Sequence, residues 1–446
     1  MLPEALRAVF IAGCAGLELV EHGPALERLS HDQFGFSPLL QPQLQHCLAD
    51  VVVRVQRSQE VLQVAALCYR LQIPLTVRGA GTGNQGQCVP LHGGVVLDTS
   101  GLNQVRSFDP VNGLLIAEPG CRLLDLDEWL QPQGWALRIA PSTWRSATLG
   151  GFIAGGSSGV GSLRWGLLRE PGNLLGLEVV TLEAEPQLLQ LDAAQAQALN
   201  HAYGSNGIFT AVTIPTVPWQ NWQELVLEVP DRPAALALGA QLSAAALEID
   251  ALCYLEQRLA KQMPPLPKLA AAQGDRLLLL ASPNAVPVIE QLTTKAGGSL
   301  LWQRPQWPPK GLLLRELCWN HTTLQLRAVD PLFTYQLVLL PEPELAFIEL
   351  IDKQWPGWLY WHLERLLVSG KARWVGLPLF RWQGEDQFKA LNTAMAAAGG
   401  LIFNAHALTV EESGLGIVDG DQVAAKQAND PKGLLNPGKL RGFNKK

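Results

Sequence analysis

The segment that most constrains this sequence is Ile73–Gly86, IPLTVRGAGTGNQG. A short apolar run that favours a β-strand ends at Arg78, and glycines follow at positions 79, 81, 83 and 86. Glycine lacks a Cβ, so the backbone can adopt positive φ angles and approach a ligand closely. The N–H groups of such a turn can also converge on an anion. The segment therefore predicts either an anion-binding loop or a glycine-rich hairpin that holds no ligand.

Residues 81–86 match the pattern G-x-G-x-x-G, which is typical of dinucleotide-binding Rossmann folds. That interpretation requires a helix that starts at the loop and directs its N-terminus at a pyrophosphate. The sequence instead continues with QCVPLHGG and the strand-like VVLD. No helix is predicted directly after Gly86, which argues against a nicotinamide-dependent Rossmann enzyme.

Length and composition limit the class of protein. A chain of 446 residues with 48% hydrophobic residues predicts two domains with substantial cores. The net charge of −6 argues against a nucleic-acid or anionic-membrane partner. The seven cysteines form no C-x-x-C or metal-ligand spacing and are expected to be reduced and buried. No segment resembles a signal peptide or a membrane span, so we expect a cytoplasmic protein.

The chain up to residue 218 alternates predicted helices and strands. Residues 3–21 predict an N-terminal helix, and Ser58–Leu71 predicts a second helix between two β-prone runs. Residues 140–166, APSTWRSATLGGFIAGGSSGVGSLRWG, form a second glycine-rich segment. It is either a flexible linker or a place where the backbone lies close to something else. The sequences that flank it favour close approach.

Composition changes near Trp219: tryptophan becomes frequent and glycine clusters become rare. Runs that favour strands alternate with helical segments, and we detect no internal sequence repeat. Residues 317–324, LCWNHTTL, place Asn320 and His321 in an apolar neighbourhood, as an internal polar network or as a substrate-facing patch. Arg315 and Arg327 flank this segment and could bind a carboxylate bidentately, or could be ordinary surface arginines.

Four segments, in order, resemble the PCMH-type FAD-binding domain of the vanillyl-alcohol-oxidase superfamily, in particular the branch of the glycolate oxidase FAD subunit and D-lactate dehydrogenase. They are RGAGTGNQG, APSTWRSATLGGFIAGGSSG, YGSNGIFTAVTIPTVP and KQANDPKGLLNPGK. The resemblance implies an α+β protein: a PCMH-type FAD-binding domain of two α/β subdomains and an α+β ferredoxin-like cap domain. It implies an FAD-binding domain at 1–218, a cap or substrate domain at 219–398, and a segment at 399–446 that returns to the FAD domain.

The resemblance also implies which residues contact FAD. They are Arg78, Gly79, Ala80, Gly81, Thr82, Gly83, Asn84 and Gly86 in the first segment, Pro141, Ser142, Thr148, Gly150, Gly151 and Gly161 in the second, Gly207 and Ile208 in the third, and Asn436 in the fourth. Backbone N–H groups of glycine loops can satisfy the phosphates without lysine or arginine. Family members that bind FAD covalently through the first loop carry a histidine there. This loop has none, so we expect non-covalent FAD.

The sequence departs from the family at the metal site. Metal-dependent members of the branch carry G-H-x-G-D-G-N-x-H and G-E-H-G motifs, and neither occurs here. Where G-E-H-G belongs, the chain reads LIFNAHAL, with Ala405 at the carboxylate position and His406 at the histidine position. We therefore expect no bound divalent metal. His406 is either a structural histidine or the catalytic base, and His321 is the alternative base.

The resemblance implies an FAD-linked oxidase or dehydrogenase. A small 2-hydroxy acid or alcohol would give a hydride to flavin N5, and the electrons would pass to oxygen, a quinone or a partner subunit. The alternative is a flavin-binding subunit of a larger redox complex without substrate turnover of its own. Loss of the metal motifs favours this alternative.

We expect the purified protein to be yellow and to release intact FAD on acid precipitation, because the first glycine segment lacks the histidine needed for a covalent bond. Absorbance and chromatography of the supernatant check this. Colour that stays with the precipitated protein would contradict non-covalent binding.

Overall fold

The structure is a computed structural model that describes residues 2–156 and 158–444, with the side chain of Asn444 excluded. Ser157, within the second glycine-rich segment, lies outside the described residues. The strands are β1 Glu18–Val20, β2 Val51–Arg54, β3 Leu75–Arg78, β4 Val95–Asp98, β5 Val105–Asp109, β6 Leu114–Ala117, β7 Trp135–Leu137, β8 Gly176–Val180, β9 Leu188–Asp192, β10 Ile208–Pro218, β11 Gln223–Val229, β12 Ile249–Leu255, β13 Asp275–Ala281, β14 Ser299–Pro305, β15 Phe333–Tyr335, β16 Leu337–Leu339, β17 His362–Val368, β18 Lys371–Gly376, β19 Leu379–Arg381 and β20 Leu401–Phe403.

The helices are α1 Glu4–Gly13, α2 Gly23–Ser30, α3 Gln41–Leu44, α4 Ser58–Leu71, α5 Leu123–Leu130, α6 Leu149–Gly155, α7 Ser162–Trp165, α8 Ala193–Gln197, α9 Arg232–Ala244, α10 Gln257–Ala260, α11 Val286–Lys295, α12 His321–Val329, α13 Glu344–Gln354, α14 Glu385–Ala397, α15 Val410–Ser413 and α16 Gly420–Asn429. No helix among the described residues combines the length and apolar character needed to cross a membrane.

The chain divides into two compact units, and each is built from separate stretches of sequence. Unit 1 comprises Met1–Ser157, Leu168–Trp219 and His406–Lys446. Unit 2 comprises Ser158–Leu167 and Gln220–Ala405. Ser158–Leu167, which includes part of the second glycine-rich segment, thus packs with unit 2.

The first sheet of unit 1 has the order β1-β2-β4-β3, with β2, β4 and β3 parallel. Helix α4 connects β2 to β3 and spans Ser58–Leu71 as predicted. Between β3 and β4 the chain forms no helix, which confirms the argument against a Rossmann fold. The predicted N-terminal helix is too long: α1 ends at Gly13, Gly16 takes φ 88°, and Glu18–Val20 pairs with β2 as β1.

The second sheet of unit 1 has the order β5-β6-β10-β8-β9, and β7 pairs with the far end of β10. Strand β10 is long enough to pair with β6, β7 and β8, all antiparallel. It is buried along nearly its whole length. Two sheets with their helices give unit 1 the two α/β subdomains expected for this fold class.

Unit 2 contains a structural duplication that the sequence did not reveal. Its first half, β11-α9-β12-β13-α11-β14, forms the sheet order β14-β11-β13-β12. Its second half, β16-α13-β17-β18-α14-β20, forms the order β17-β18-β16-β20. Both are βαββαβ units with the fourth strand beside the first, the ferredoxin-like arrangement. Antiparallel pairing of β12 with β17 joins them into one eight-stranded sheet.

The closing segment of the chain is hydrogen-bonded to β3 in unit 1. Leu75 N donates to Leu434 O at 2.8 Å, and Asn436 N donates to Leu75 O at 2.7 Å. The Asn436 side-chain amide then donates to Gln87 O at 2.8 Å and to Tyr203 O at 2.6 Å. One buried asparagine thus connects β3, the chain after the glycine segment and the turn before β10.

Two buried charges lie behind the glycine segment. Lys439 is fully buried, and its Nζ has no hydrogen-bond partner among the described residues. Burial lowers the pKa of Lys439 to about 8 against the opposing effect of Asp32. Burial raises the pKa of Asp32 to about 7, against the opposing charges of Lys439 and Arg78. Because each charge reduces the cost of burying the other, the two residues form one electrostatic unit.

Removing one member of this pair should be more destabilising than removing both. We expect Lys439→Met to lower the free energy of unfolding by about 3–5 kcal/mol, because Asp32 keeps a buried charge with less compensation. The double variant Asp32→Asn/Lys439→Met should lose less free energy of unfolding than Lys439→Met alone. Denaturant titration followed by circular dichroism measures this.

The exposed ion pair Arg122–Asp125 offers a matched control, since both side chains are about half exposed. Arg122→Met should change the free energy of unfolding by less than about 1 kcal/mol. Additive effects of the Asp32 and Lys439 substitutions would show that the two charges do not interact.

Candidate functional site

The glycine segment leaves the C-terminal end of β3 and turns sharply over the side chain of Arg78. Gly81 and Gly86 take φ angles of 66° and 73°. A Cβ on Gly81 would lie 2.1 Å from Arg78 Nη2, so only glycine fits there without movement of the guanidinium. Arg78 Nη1 donates to His31 O at 2.6 Å and to Cys88 Sγ at 3.3 Å. In this structure Arg78 supports the loop from within the protein.

The two glycine-rich segments meet at Gly79 and Thr148. A Cβ on Gly79 would lie 2.2 Å from Thr148 Oγ1, and a Cβ on Gly151 would lie 3.0 Å from the same atom. Thr148 is 3% exposed, precedes α6, and makes no side-chain capping bond. Its hydroxyl has no hydrogen-bond partner among the described residues. A buried hydroxyl without a partner, enclosed by glycines, is suited to a ligand that brings its own acceptor oxygen.

The second segment is fixed by the chain that follows β6. Leu149 N donates to Cys121 O and Gly150 N to Pro119 O, each at 2.8 Å. A Cβ on Gly150 would lie 2.4 Å from Pro119 Cβ. Gly150 is therefore required by packing against Pro119. The same contacts hold Thr148 in place beside Gly79.

A cavity of about 430 Å³ adjoins the first glycine segment, at the C-terminal ends of β2, β3 and β4. Its wall includes residues 79–81 and the side chains of Arg54, Arg78 and Asp98. Arg54 Nε donates to Asp98 Oδ2 at 2.9 Å. Crevices at the carboxyl ends of parallel strands are common ligand sites in α/β proteins.

The other predicted cofactor residues are distributed as follows. Ala80, Thr82, Gly83 and Asn84 lie in the first segment, and Gly83 O accepts a hydrogen bond from Gln33 N at 2.7 Å. Pro141 and Ser142 are buried before α6, and Gly207 and Ile208 are buried at the start of β10. A Cβ on Gly207 would lie 2.6 Å from Val179 Cγ1, which gives this glycine a packing role. Gly161 alone among the predicted cofactor residues lies in unit 2, where its N–H donates to Asp250 O at 3.1 Å.

The predicted base His406 is the first residue of the closing stretch of unit 1. It is 5% exposed, and its Nδ1 lies 2.8 Å from Ser37 Oγ. Ser37 Oγ also accepts a hydrogen bond from Leu40 N at 3.1 Å. A histidine fixed in this way has a defined ring orientation, which both a structural and a catalytic role require.

The remaining predicted residues lie in unit 2. His321 begins α12, and burial lowers its pKa against the opposing charge of Glu316. Asn320 precedes it, and the Asn320 Oδ1 atom has no hydrogen-bond partner among the described residues. Arg327 Nη1 donates to Pro331 O at 2.6 Å and to Phe333 O at 2.9 Å, so it supports the chain after α12. Arg315 is 6% exposed.

Sequence reasoning missed Asp32, Lys439 and Tyr203 around the first segment. The Tyr203 hydroxyl donates to Gln85 Oε1 at 2.8 Å and lies 2.6 Å from Ser413 Oγ. Lys439 lies in the NPGK run of the closing segment, and nothing in that run indicates a buried charge. Asp32 carries no motif, and its role depends on contacts that the chain makes only when folded.

Comparison with known proteins agrees with this geometry. Residues 49–187 match the FAD binding domain family. The chain is 30% identical over 243 residues to the glycolate oxidase subunit GlcD of Escherichia coli, covering 50% of this chain and 46% of that protein. It is 36% identical over 148 residues to the mitochondrial D-2-hydroxyglutarate dehydrogenase of Rattus norvegicus, covering 31% and 27%. The match thus spans half or less of each relative.

Solved structures share the fold. An alkyldihydroxyacetonephosphate synthase matches with a TM-score of 0.75 at 16% identity, over 98% of this chain and 86% of that one. A variant of Physcomitrella patens BBE-like 1 matches with a TM-score of 0.67 at 12% identity, over 98% and 99%. The chain thus carries a segment similar to the FAD binding domain family at residues 49–187, and it shares the overall fold of these solved structures.

Proposed function

We propose that this protein is an FAD-dependent dehydrogenase or oxidase of a small 2-hydroxy acid. The observation that carries the proposal is the meeting of the two glycine-rich segments at Gly79 and Thr148, inside the stretch that matches the FAD binding domain. Relatives named for glycolate and D-2-hydroxyglutarate suggest the substrate class.

The residues at this meeting point fit a diphosphate. Thr148 has a buried hydroxyl that needs an acceptor, and phosphate oxygens are strong acceptors. Gly79 and Gly151 leave the space beside that hydroxyl free of side-chain atoms. We assign the backbone of residues 79–86 and the Thr148 hydroxyl to the diphosphate of FAD, with Arg78 as the support of the loop.

We assign the proton transfer to His406. In the tautomer whose Nδ1–H donates to Ser37 Oγ, the Nε2 lone pair can accept the proton of the substrate hydroxyl. Ser37 is then a positioning residue, because it fixes the tautomer and the ring. Bound FAD supplies the hydride acceptor.

We assign the binding of the substrate carboxylate to an arginine side chain. Arg315 and Arg327 are the two candidates, because a guanidinium can bind a carboxylate through two hydrogen bonds. Asn320 and His321 are further candidates for contact with the substrate. The electron acceptor would be oxygen, a quinone or a partner subunit.

Two observations favour a second function. Ala405 stands where metal-dependent relatives of the branch carry a carboxylate, and the E. coli relative is by name a subunit. The protein would then be a flavin-binding subunit without substrate turnover of its own.

The two functions are separated by anaerobic addition of glycolate, D-lactate or D-2-hydroxyglutarate. We expect these acids to bleach the flavin absorbance band at about 450 nm, which belongs to the oxidised cofactor. His406→Ala should slow this reduction by roughly 10²-fold or more, the usual loss when a general base is removed. Its FAD content should be unchanged.

His46→Ala, at an exposed position of unit 1, is the matched control. Its flavin should be reduced at the wild-type rate. A normal rate in His406→Ala with a slow rate in His321→Ala would transfer the role to His321. Failure of every candidate acid to reduce the flavin would favour the subunit without turnover.

FAD retention should depend on Gly79. Gly79→Ala places a methyl group against Thr148 Oγ1, so we expect at least about a tenfold loss of FAD affinity with the fold retained. Gly155→Ala is the control, because a Cβ there meets no atom within 4 Å. Fluorescence of released flavin measures both. Equal retention in the two variants would mean that Gly79 does not line the diphosphate site.

A further inference from the structure

Unit 2 contains a buried cluster of side chains that are typical metal ligands. Cys253 Sγ lies 3.3 Å from His362 Nε2, and His362 Nε2 lies 2.8 Å from Glu364 Oε1. The sulfur, the nitrogen and a carboxylate oxygen all lie within 4.8 Å of one another. None of the three residues is more than 2% exposed.

The hydrogen bonds around His362 favour a cation at its Nε2 atom. The Thr322 hydroxyl donates to Trp319 O at 2.9 Å, so it must accept from His362 Nδ1–H, which lies 2.7 Å away. In the neutral imidazole, Nε2 then carries a lone pair. That lone pair faces the Glu364 carboxylate at 2.8 Å. Two acceptors at this distance require a proton between them, carried by the ring or by the carboxyl group, or else a cation.

Cys318 is the candidate for a fourth ligand. It packs in the same buried cluster as Cys253, is 3% exposed, and its thiol donates a hydrogen bond to Leu314 O at 3.2 Å. The same short segment also holds the cluster from outside: Trp319 N donates to Glu364 Oε1 at 2.5 Å, and Thr322 orients His362. Such outer contacts fix the orientation of metal-binding histidines and carboxylates.

The cluster lies where the two ferredoxin-like halves join. Cys253 of β12 stands directly opposite Glu364 of β17 in the antiparallel pair, and His362 stands opposite Leu255. Cys318 belongs to residues 306–336, the connection between β14 of the first half and β16 of the second. A bound ion would therefore link both halves and their connection.

We propose that Cys253, Cys318, His362 and Glu364 bind one divalent cation of the zinc class. Two thiolates, a neutral imidazole and a carboxylate form a four-coordinate ligand set suited to Zn²⁺. Binding releases three protons to solvent: the two thiol protons and the proton that lies between His362 and Glu364 when no ion is bound. Nitrogen and oxygen ligands of a tetrahedral zinc ion lie about 3.3 Å apart, so His362 and Glu364 separate slightly on binding. The buried set leaves no open position, which makes the site structural.

This site differs from the expectation of no metal that followed from the missing family motifs. Its ligands form no local pattern, because Cys253 and His362 are 109 residues apart. It does not depend on the proposed oxidation of a hydroxy acid, since the ion would serve the fold of unit 2.

The test is the metal content of the full-length flavoprotein, purified without chelators and without a polyhistidine tag. We expect about one zinc per chain by mass spectrometry. X-ray absorption at the zinc edge should show two sulfur ligands at about 2.3 Å and two nitrogen or oxygen ligands at about 2.0–2.1 Å. The zinc content per chain should fall at least about tenfold in Cys318→Ser and in His362→Gln. Cys47→Ser, a partly exposed cysteine of unit 1, should keep it.

The wild-type measurements decide the proposal even if a variant fails to fold. Less than about a tenth of an ion per chain, with no uptake of added zinc sulfate by the folded protein, would overturn it. So would a zinc spectrum without sulfur ligands. In either case the contact between His362 and Glu364 would be an ordinary hydrogen bond, and ¹⁵N resonances of the ring would show which of the two side chains carries the proton.

Discussion

Unit 1 depends on the return of the closing segment to β3. Leu75 exchanges backbone hydrogen bonds with Leu434 and Asn436, and the Asn436 amide reaches across 349 positions of sequence to Gln87. Leu75 lies near the start of the glycine segment and Gln87 directly follows it, so both ends of the segment are fixed by residues that follow unit 2 in the chain. The buried charges of Asp32 and Lys439 add an electrostatic tie behind the same loop. Buried polar groups of this kind favour one arrangement because every alternative leaves them unsatisfied.

The sequence was sufficient for the fold class and the cofactor. Glycines that allow positive φ and close approach are visible in a single sequence, and the order of four such segments carried the family resemblance. The cause of each glycine was not visible. Gly79 faces Thr148, whereas Gly150 faces Pro119 and Gly207 faces Val179, so similar glycines serve a candidate ligand site and ordinary packing. The roles toward FAD and substrate that we assign to Thr148, Arg78 and His406 are still predictions.

What the sequence could not give were contacts between distant strands. Cys253 and Glu364 become neighbours only through the register of β12 and β17. The duplication of unit 2 was missed for a related reason: the two halves share strand order and connections, while no residue pattern repeats between them. The periodicity of apolar residues predicts local helices and strands. Contacts between distant residues depend on how the strands are ordered and paired. The length of α1 was overestimated because Gly13 and Gly16 were given less weight than the apolar spacing.

The divided path of unit 1 has a consequence for synthesis in the cell. A ribosome produces Met1–Ser157 and Leu168–Trp219 first, then nearly all of unit 2, and only afterwards His406–Lys446. Unit 2 is thus complete in sequence while β3 still lacks its partner from the closing segment. During this interval the glycine segment has no Asn436 to hold it, and the nascent first unit stays incomplete until His406–Lys446 has been made. Premature termination just after unit 2 would therefore damage the part of the protein that was made first.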